Sequence, residues 1–317
     1  MRARLGAHSP YKSFPLSSSG APVGPALPPG EHIELPGIGR IYVRRADGPP
    51  GSPTVILLHG WTVTADLNWY PAFEPLSQRA TVVAFDHRGH GEGIPTRKFK
   101  FSDCASDVLA VADALGIDRF VCVGYSMGGA IAQMAARAAP DRITGLVLGA
   151  TSTGFRGRGL RAIRFSLLPV VAAASRLAPV KLRYWGWEQT VFNVIGTNIG
   201  RWAQTEVLKG DPQAMLDAGT ELFNFDSSPW IADLPMPIAQ IRTLGDKVVP
   251  DYLQQELADA VDGISVYSYR GGHASVVTDF DSFWDCLSKA LDSVGVPAYS
   301  HPQSSIASDP SPAEASR

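Results

Sequence analysis

The chain has 317 residues, 45% of them apolar and 18% charged, with a net charge of −2. That apolar share can fill a large core, and the near-neutral balance excludes a strongly basic nucleic-acid binder. Three cysteines, Cys104, Cys122 and Cys286, without a CxxC pair, exclude a disulfide framework and argue against a zinc or iron–sulfur centre.

Residues 1–30 are rich in Pro, Ser and Gly and are expected to lack fixed structure, as is the similar tail at 298–317. No apolar stretch follows the first arginines, and no run reaches the roughly 18 apolar residues of a membrane span. A cytoplasmic protein is therefore expected. Residues 41–44 read as an early strand. TVILL at 54–58 and TVVAF at 81–85 read as buried strands, followed by HGW and by DHRGHG. Apolar positions at helical spacing over 102–115 predict a helix that Gly116 ends. A strand at 120–123, a Gly-rich turn and an Ala-rich helix at 127–138 follow. Further strands are expected at 143–148, 238–243 and 264–268. FVCVG around Cys122 marks that cysteine as a small buried hydrophobe.

Continuous apolar strands separated by helices predict a mostly parallel sheet covered on both faces. The alternation stops at 151–226, where helical patterns and aromatics appear without a convincing strand. That stretch is expected to be a helical cap inserted between two halves of the core, 31–150 and 227–297.

Gly124-Tyr125-Ser126-Met127-Gly128 matches G-x-S-x-G between a predicted strand and a predicted helix. A structural turn is the plain alternative for so short a pattern. The strand–turn–helix context favours a strained turn that lifts the serine hydroxyl above the sheet, at a helix N-terminus that favours negative charge. HGW at 59–61, DHRGHG at 86–91, GYSMGG at 124–129, GDKVVP at 245–250 and GGHAS at 271–275 occur in that order. On these motifs the chain resembles the α/β-hydrolase family over nearly all of its folded part.

A serine nucleophile needs a base, and the base needs an acid. Of seven histidines, His8 and His301 lie in the tails and His32 near the first strand. The resemblance assigns His59, His87 and His90 to loop structure, which leaves His273, in a Gly-flanked turn, as the base. Asp246 follows a strand and completes the order Ser, acid, His. Asp251, its nearest competitor, reads as a helix-start residue, and Asp86 as a structural carboxylate that holds a loop. The resemblance implies oxyanion donors at the main-chain N–H groups of Met127 and Trp61, with the Trp61 ring as a substrate wall.

The implied activity is hydrolysis of carboxylic esters of hydrophobic acids through an acyl-enzyme, with no cofactor and no metal. Family members with Asp at the elbow hydrolyse epoxides or carbon–halogen bonds, and Ser126 argues against both. The motifs also resemble cofactor-free haloperoxidases with perhydrolase activity, and carbon–carbon hydrolysis is a further reading. A catalytically silent binding protein is the non-enzyme alternative. Residues 156–183 carry Arg156, Arg158, Arg161, Arg164, Arg176, Lys181 and Arg183 with no acid among them. This is either a solvated face or an amphipathic lid giving peripheral contact with anionic lipid.

Overall fold

A computed structural model describes residues 24–191 and 200–298. The chain opens with β1 (Gly30–Leu35), β2 (Gly39–Ala46) and β3 (Thr54–Leu58), then α1 (Ala65–Trp69), α2 (Phe73–Ser77) and β4 (Thr81–Phe85). Next come α3 (Phe101–Ala114), β5 (Phe120–Tyr125), α4 (Met127–Ala138) and β6 (Ile143–Gly149). Five helices follow: α5 (Leu160–Ser166), α6 (Leu168–Ser175), α7 (Val180–Thr190), α8 (Arg201–Leu208) and α9 (Pro212–Asn224). β7 (Ile238–Leu244), α10 (Asp251–Ala260), β8 (Ser265–Arg270), α11 (Ser275–Thr278) and α12 (Phe280–Ser293) complete the described chain.

The strands form one sheet in the order β1-β2-β4-β3-β5-β6-β7-β8. β1 and β2 pair antiparallel with each other, β2 pairs antiparallel with β4, and every other neighbour is parallel. Alternation along each central strand supplies both cores. Ile56, Leu58, Cys122 and Leu148 face α3, α4 and α10, while Val55, Leu57, Val123 and Val147 face α1, α2 and α12. With both faces buried, the strands carry no polar face, which is why they read as unbroken apolar runs.

β1 has no counterpart among the expected strands. Its sequence, GEHIEL, is exposed at most positions, and it pairs on one side only. An edge strand of this kind gains backbone bonds without an apolar pattern to reveal it. The expected unstructured segments lie mostly outside the described residues. Residues 24–29 depart from that expectation: Leu27 packs against the core and the Pro28 carbonyl accepts a 2.8 Å bond from Arg44. Side chains downstream anchor this Pro-rich stretch, so it needs no apolar pattern of its own.

Gly116 ends α3 at φ +65°, a backbone state that glycine adopts without strain. All three cysteines are free and buried. α5 to α9, between β6 and β7, leave and rejoin the sheet at one neck, closed by an antiparallel bridge between Gly154 and Asp226. No helix among the described residues is long and apolar enough to cross a membrane.

Candidate active site

β5 ends directly in α4, with Ser126 alone between them. Its backbone sits at φ +55°, ψ −117°, a state costing a non-glycine residue about 1–3 kcal/mol. The surroundings enforce it. A Cβ on Gly128 would stand 2.2 Å from the Leu58 carbonyl oxygen, and one on Gly124 would stand 2.3 Å from the Gly128 oxygen. The helix therefore meets the sheet at backbone contact, and the serine must take the tight bend. Ser126 N–H donates to the Gly149 carbonyl at 2.8 Å, and its carbonyl accepts from Thr151 Oγ1 at 2.8 Å.

This close approach gives a direct expectation for stability. Gly128→Ala should cost more than about 3 kcal/mol, because the obstacle is backbone that can yield only by moving β3. Gly116→Ala meets nothing within 4 Å and should cost roughly 1–2 kcal/mol, from its positive φ alone. Thermal unfolding of the two variants measures the difference; equal losses would refute the packing argument.

Ser126, His273 and Asp246 come together from three separate strand ends. His273 Nε2 lies 3.0 Å from Ser126 Oγ, and His273 Nδ1 lies 2.7 Å from Asp246 Oδ2. Asp246 is fixed from several sides: Oδ2 also accepts from Thr243 Oγ1 at 2.9 Å, and Oδ1 accepts from the Val248 and Val249 N–H groups at 2.7 and 2.9 Å. Burial works against its ionisation. The bond and charge of His273 and the two N–H donors outweigh burial, holding the carboxyl below its ordinary range. The His273 side chain is about one-quarter exposed (23%), whereas the Asp246 side chain is fully buried (0%). The imidazole is thus partly accessible, whereas the carboxylate behind it and Ser126 are buried.

Asp251 begins α10 and pairs with Arg242, away from His273. Asp86 receives the Ala65 N–H at 2.6 Å and the Glu92 N–H at 2.8 Å, so it ties two loops. Burial raises it to about 7 against those bonds. His59 does similar work, donating from Nδ1 to the Gly60 carbonyl at 2.7 Å and receiving the His87 N–H on Nε2 at 2.9 Å. Burial pushes all three loop histidines down, to about 3 for His87 and about 4 for His90, and the neighbouring imidazoles push His59 further. Their rings are close, yet no group of three or more His, Cys, Asp or Glu among the described residues is arranged to hold a metal ion.

Met127 opens α4 beside the serine. Trp61 follows Gly60, at which a Cβ would stand 3.6 Å from the Ser126 Cβ. The Gly60 N–H is occupied by Asn68 Oδ1 at 3.0 Å. The Trp61 indole N–H donates to the Met215 carbonyl of α9 at 2.9 Å, and a Cβ on Gly219 would stand 2.9 Å from its ring. The ring is thereby clamped on α9. Two cavities meet at Trp61, Thr62 and Val248. One, of about 290 Å³, is bounded by His273 and by Val63, Leu67, Val207 and Val276. The other, of about 700 Å³, lies beneath α6, α7 and α9 and is largely apolar.

Tyr125, the second residue of the elbow, was not singled out in the sequence. Its hydroxyl donates to the His273 carbonyl at 2.8 Å, fixing the turn that carries the imidazole. A contact across 148 positions leaves no local sequence signal. Val248 was missed for the same reason.

A profile of the alpha/beta hydrolase fold matches residues 53–214. RutD of Caulobacter segnis, whose name describes a carbamate hydrolase, is 27% identical over 256 residues, covering 77% of this chain and 93% of that protein. Epoxide hydrolase B of Mycobacterium tuberculosis is 28% identical over 276 residues, covering 76% and 74%. A solved hydrolase structure from Pseudomonas aeruginosa superposes with a TM-score of 0.69 at 21% identity, covering 84% of this chain and 98% of that one. With the profile spanning half of its length and the sheet order in place, the chain belongs to the alpha/beta hydrolase fold family.

Proposed function

We propose that the protein is a serine hydrolase that cleaves carboxylic esters with a hydrophobic acyl group. The observation that carries this is the unbroken chain from Ser126 Oγ through His273 to Asp246, placed beside an apolar cavity. Ser126 Oγ attacks the ester carbonyl while His273 Nε2 takes its proton. The N–H groups of Met127 and Trp61 receive the negative charge that forms on the carbonyl oxygen. His273 then protonates the departing alcohol. Water, deprotonated by the same nitrogen, releases the acid and restores Ser126. Asp246 keeps Nδ1 as the donor, so Nε2 stays free to accept. No step calls for a cofactor.

An epoxide hydrolase among the relatives does not favour epoxide opening here, because the elbow carries a serine where the family's epoxide-opening members carry aspartate. Carbamate cleavage is the second reading. It needs the same acyl chemistry, and RutD supports it by name. The walls favour the ester. Valines, Leu67 and the apolar cavity behind Trp61 offer contacts that suit a long acyl chain.

A set of p-nitrophenyl esters and one matched carbamate discriminates between them. kcat/KM should rise about tenfold or more from acetate to octanoate, since each buried methylene contributes about 0.8 kcal/mol. A maximum at acetate would overturn the hydrophobic-acyl reading, and faster turnover of the carbamate would favour the second one.

A further inference from the structure

The helices over the large cavity are apolar on their outer side as well. α6 reads LPVVAAAS, yet only Ala172 in it is buried, and α7 buries no residue at all. Among the described residues, ten of the fourteen exposed large hydrophobic side chains fall within residues 160–185, and eight of these ten line neither of the two cavities. Leu177 is 89% exposed, Leu160 73% and Val170 65%. Single exposed leucines are ordinary; a run of them over three successive helices marks a contact surface.

Charge indicates what the surface meets. Residues 156–183 hold seven cations and no anion. Arg158 and Arg176 are neutralised, by Glu256 at 3.0 Å and Asp217 at 2.7 Å. Arg156 binds an uncharged acceptor, the Phe223 carbonyl, and has no ion-pair partner among the described residues, whereas Arg183 borders the large cavity, its guanidinium on Gln213 Oε1. Lys181 is exposed, and α5 contributes Arg161 and Arg164 in its sequence. Two further carboxylates lie nearby, Glu188 on α7 and Asp211, which accepts from the Tyr184 hydroxyl. A second copy of the chain, docked about a two-fold axis, would set these cations against one another. Anionic lipid would complement them.

We propose that the outer face of α5, α6, α7 and the turn joining α6 to α7 docks on an anionic membrane surface, with Leu160, Val170, Leu177 and Trp185 entering the headgroup layer and Lys181 meeting lipid phosphates. The inner side of α6 and α7, through Leu168 and Trp187, lines the large cavity that adjoins the catalytic one at Trp61 and Val248. The docked face and the active site are therefore one helix layer apart, and a lipophilic ester can pass from the bilayer into the large cavity. That route rests on the ester-hydrolase reading; the docking does not.

Sedimentation of the 317-residue protein with vesicles tests it. Vesicles of phosphatidylcholine containing phosphatidylglycerol should bind the protein about tenfold or more tightly than phosphatidylcholine alone, at about fivefold per facing cation. Combined Leu160→Asp, Val170→Asp and Leu177→Asp should weaken that binding about a hundredfold or more. These three side chains line neither cavity, so turnover of a short water-soluble ester should stay unchanged. Wild-type protein left in the supernatant with both vesicle types, or a triple variant that binds as wild type does, would overturn the proposal. So would a wild-type dimer that the triple variant converts to monomer, which would assign the face to a second copy. Retained vesicle binding without ester turnover would overturn only the substrate route.

Discussion

Ser126→Ala should lower kcat by about 10⁵–10⁶-fold, the scale seen when a nucleophile acting in concert with its base is removed. The loss corresponds to roughly 7–8 kcal/mol of transition-state stabilisation. It should leave the fold intact, because the bend at Ser126 is imposed by Gly124, Gly128 and the Leu58 backbone and not by the hydroxyl. A fluorophosphonate probe should label the wild type and not the variant, with unfolding midpoints alike. Equal labelling would remove Ser126 from the mechanism. No labelling of either would favour a catalytically silent member of the family.

Stability should fall steeply below neutral pH. His59, His87 and His90 are held neutral by burial, His87 down to about 3 and His90 to about 4 from an ordinary value of 6.5. Their contribution is complete above about 6.5 and is lost as pH falls through the folded values, because the unfolded chain takes up protons first. Asp86 has the opposite sign. Its carboxyl is raised from 3.8 to about 7, so its contribution is complete in acid and is lost as pH rises through about 7. Near pH 5 three histidines oppose one aspartate, a net difference of about two protons, so stability should drop by roughly 2–3 kcal/mol per pH unit. Asp246, held below its ordinary range, adds to the loss at still lower pH.

The histidine cluster has no ready accommodation for a proton. Both ring nitrogens of His87 and Nε2 of His90 already lack a hydrogen-bond partner among the described residues. Urea midpoints at pH 7 and pH 5 measure the slope, and His87→Leu should reduce it by about one proton's worth. A midpoint that does not move between these pH values would refute the account.

Several features were open to reading in the chain because their causes are local. β3, β4 and β5 are apolar without interruption because both sides of a central parallel strand are covered. Gly116 ended its helix through a backbone preference confined to one residue. Asp86 was legible as a loop carboxylate from its place before the elbow, and the two N–H groups it binds fit that place. β1 was not legible, because edge pairing of GEHIEL uses backbone groups that any sequence has.

The insertion shows where composition misleads. Seven cations without an acid read as a solvated face or an amphipathic lid, and the local sequence does not show that α9 and α10 supply carboxylates from far along the chain to Arg176 and Arg158. The outward apolar set of α6 was hidden for the opposite reason. LLPVVAAA looks like core in any window, and only the packing leaves all but Ala172 of α6 short of burial.

By itself the sequence determined the kind of chemistry: a serine at a strand-to-helix bend, followed in order by an acid and a histidine, on a parallel sheet. The bend and the sheet follow from residue type, local backbone preference and the alternation of strand with helix, and the choice of acid and histidine from the resemblance to the family. Only the tertiary structure decided the 3.0 and 2.7 Å contacts, the hold of Tyr125 on His273, and the clamp of α9 on Trp61. It also decided which side of α6 and α7 faces a cavity and which is left outside. These depend on helices and strands distant in sequence meeting at particular angles, and no window of neighbouring residues encodes that meeting.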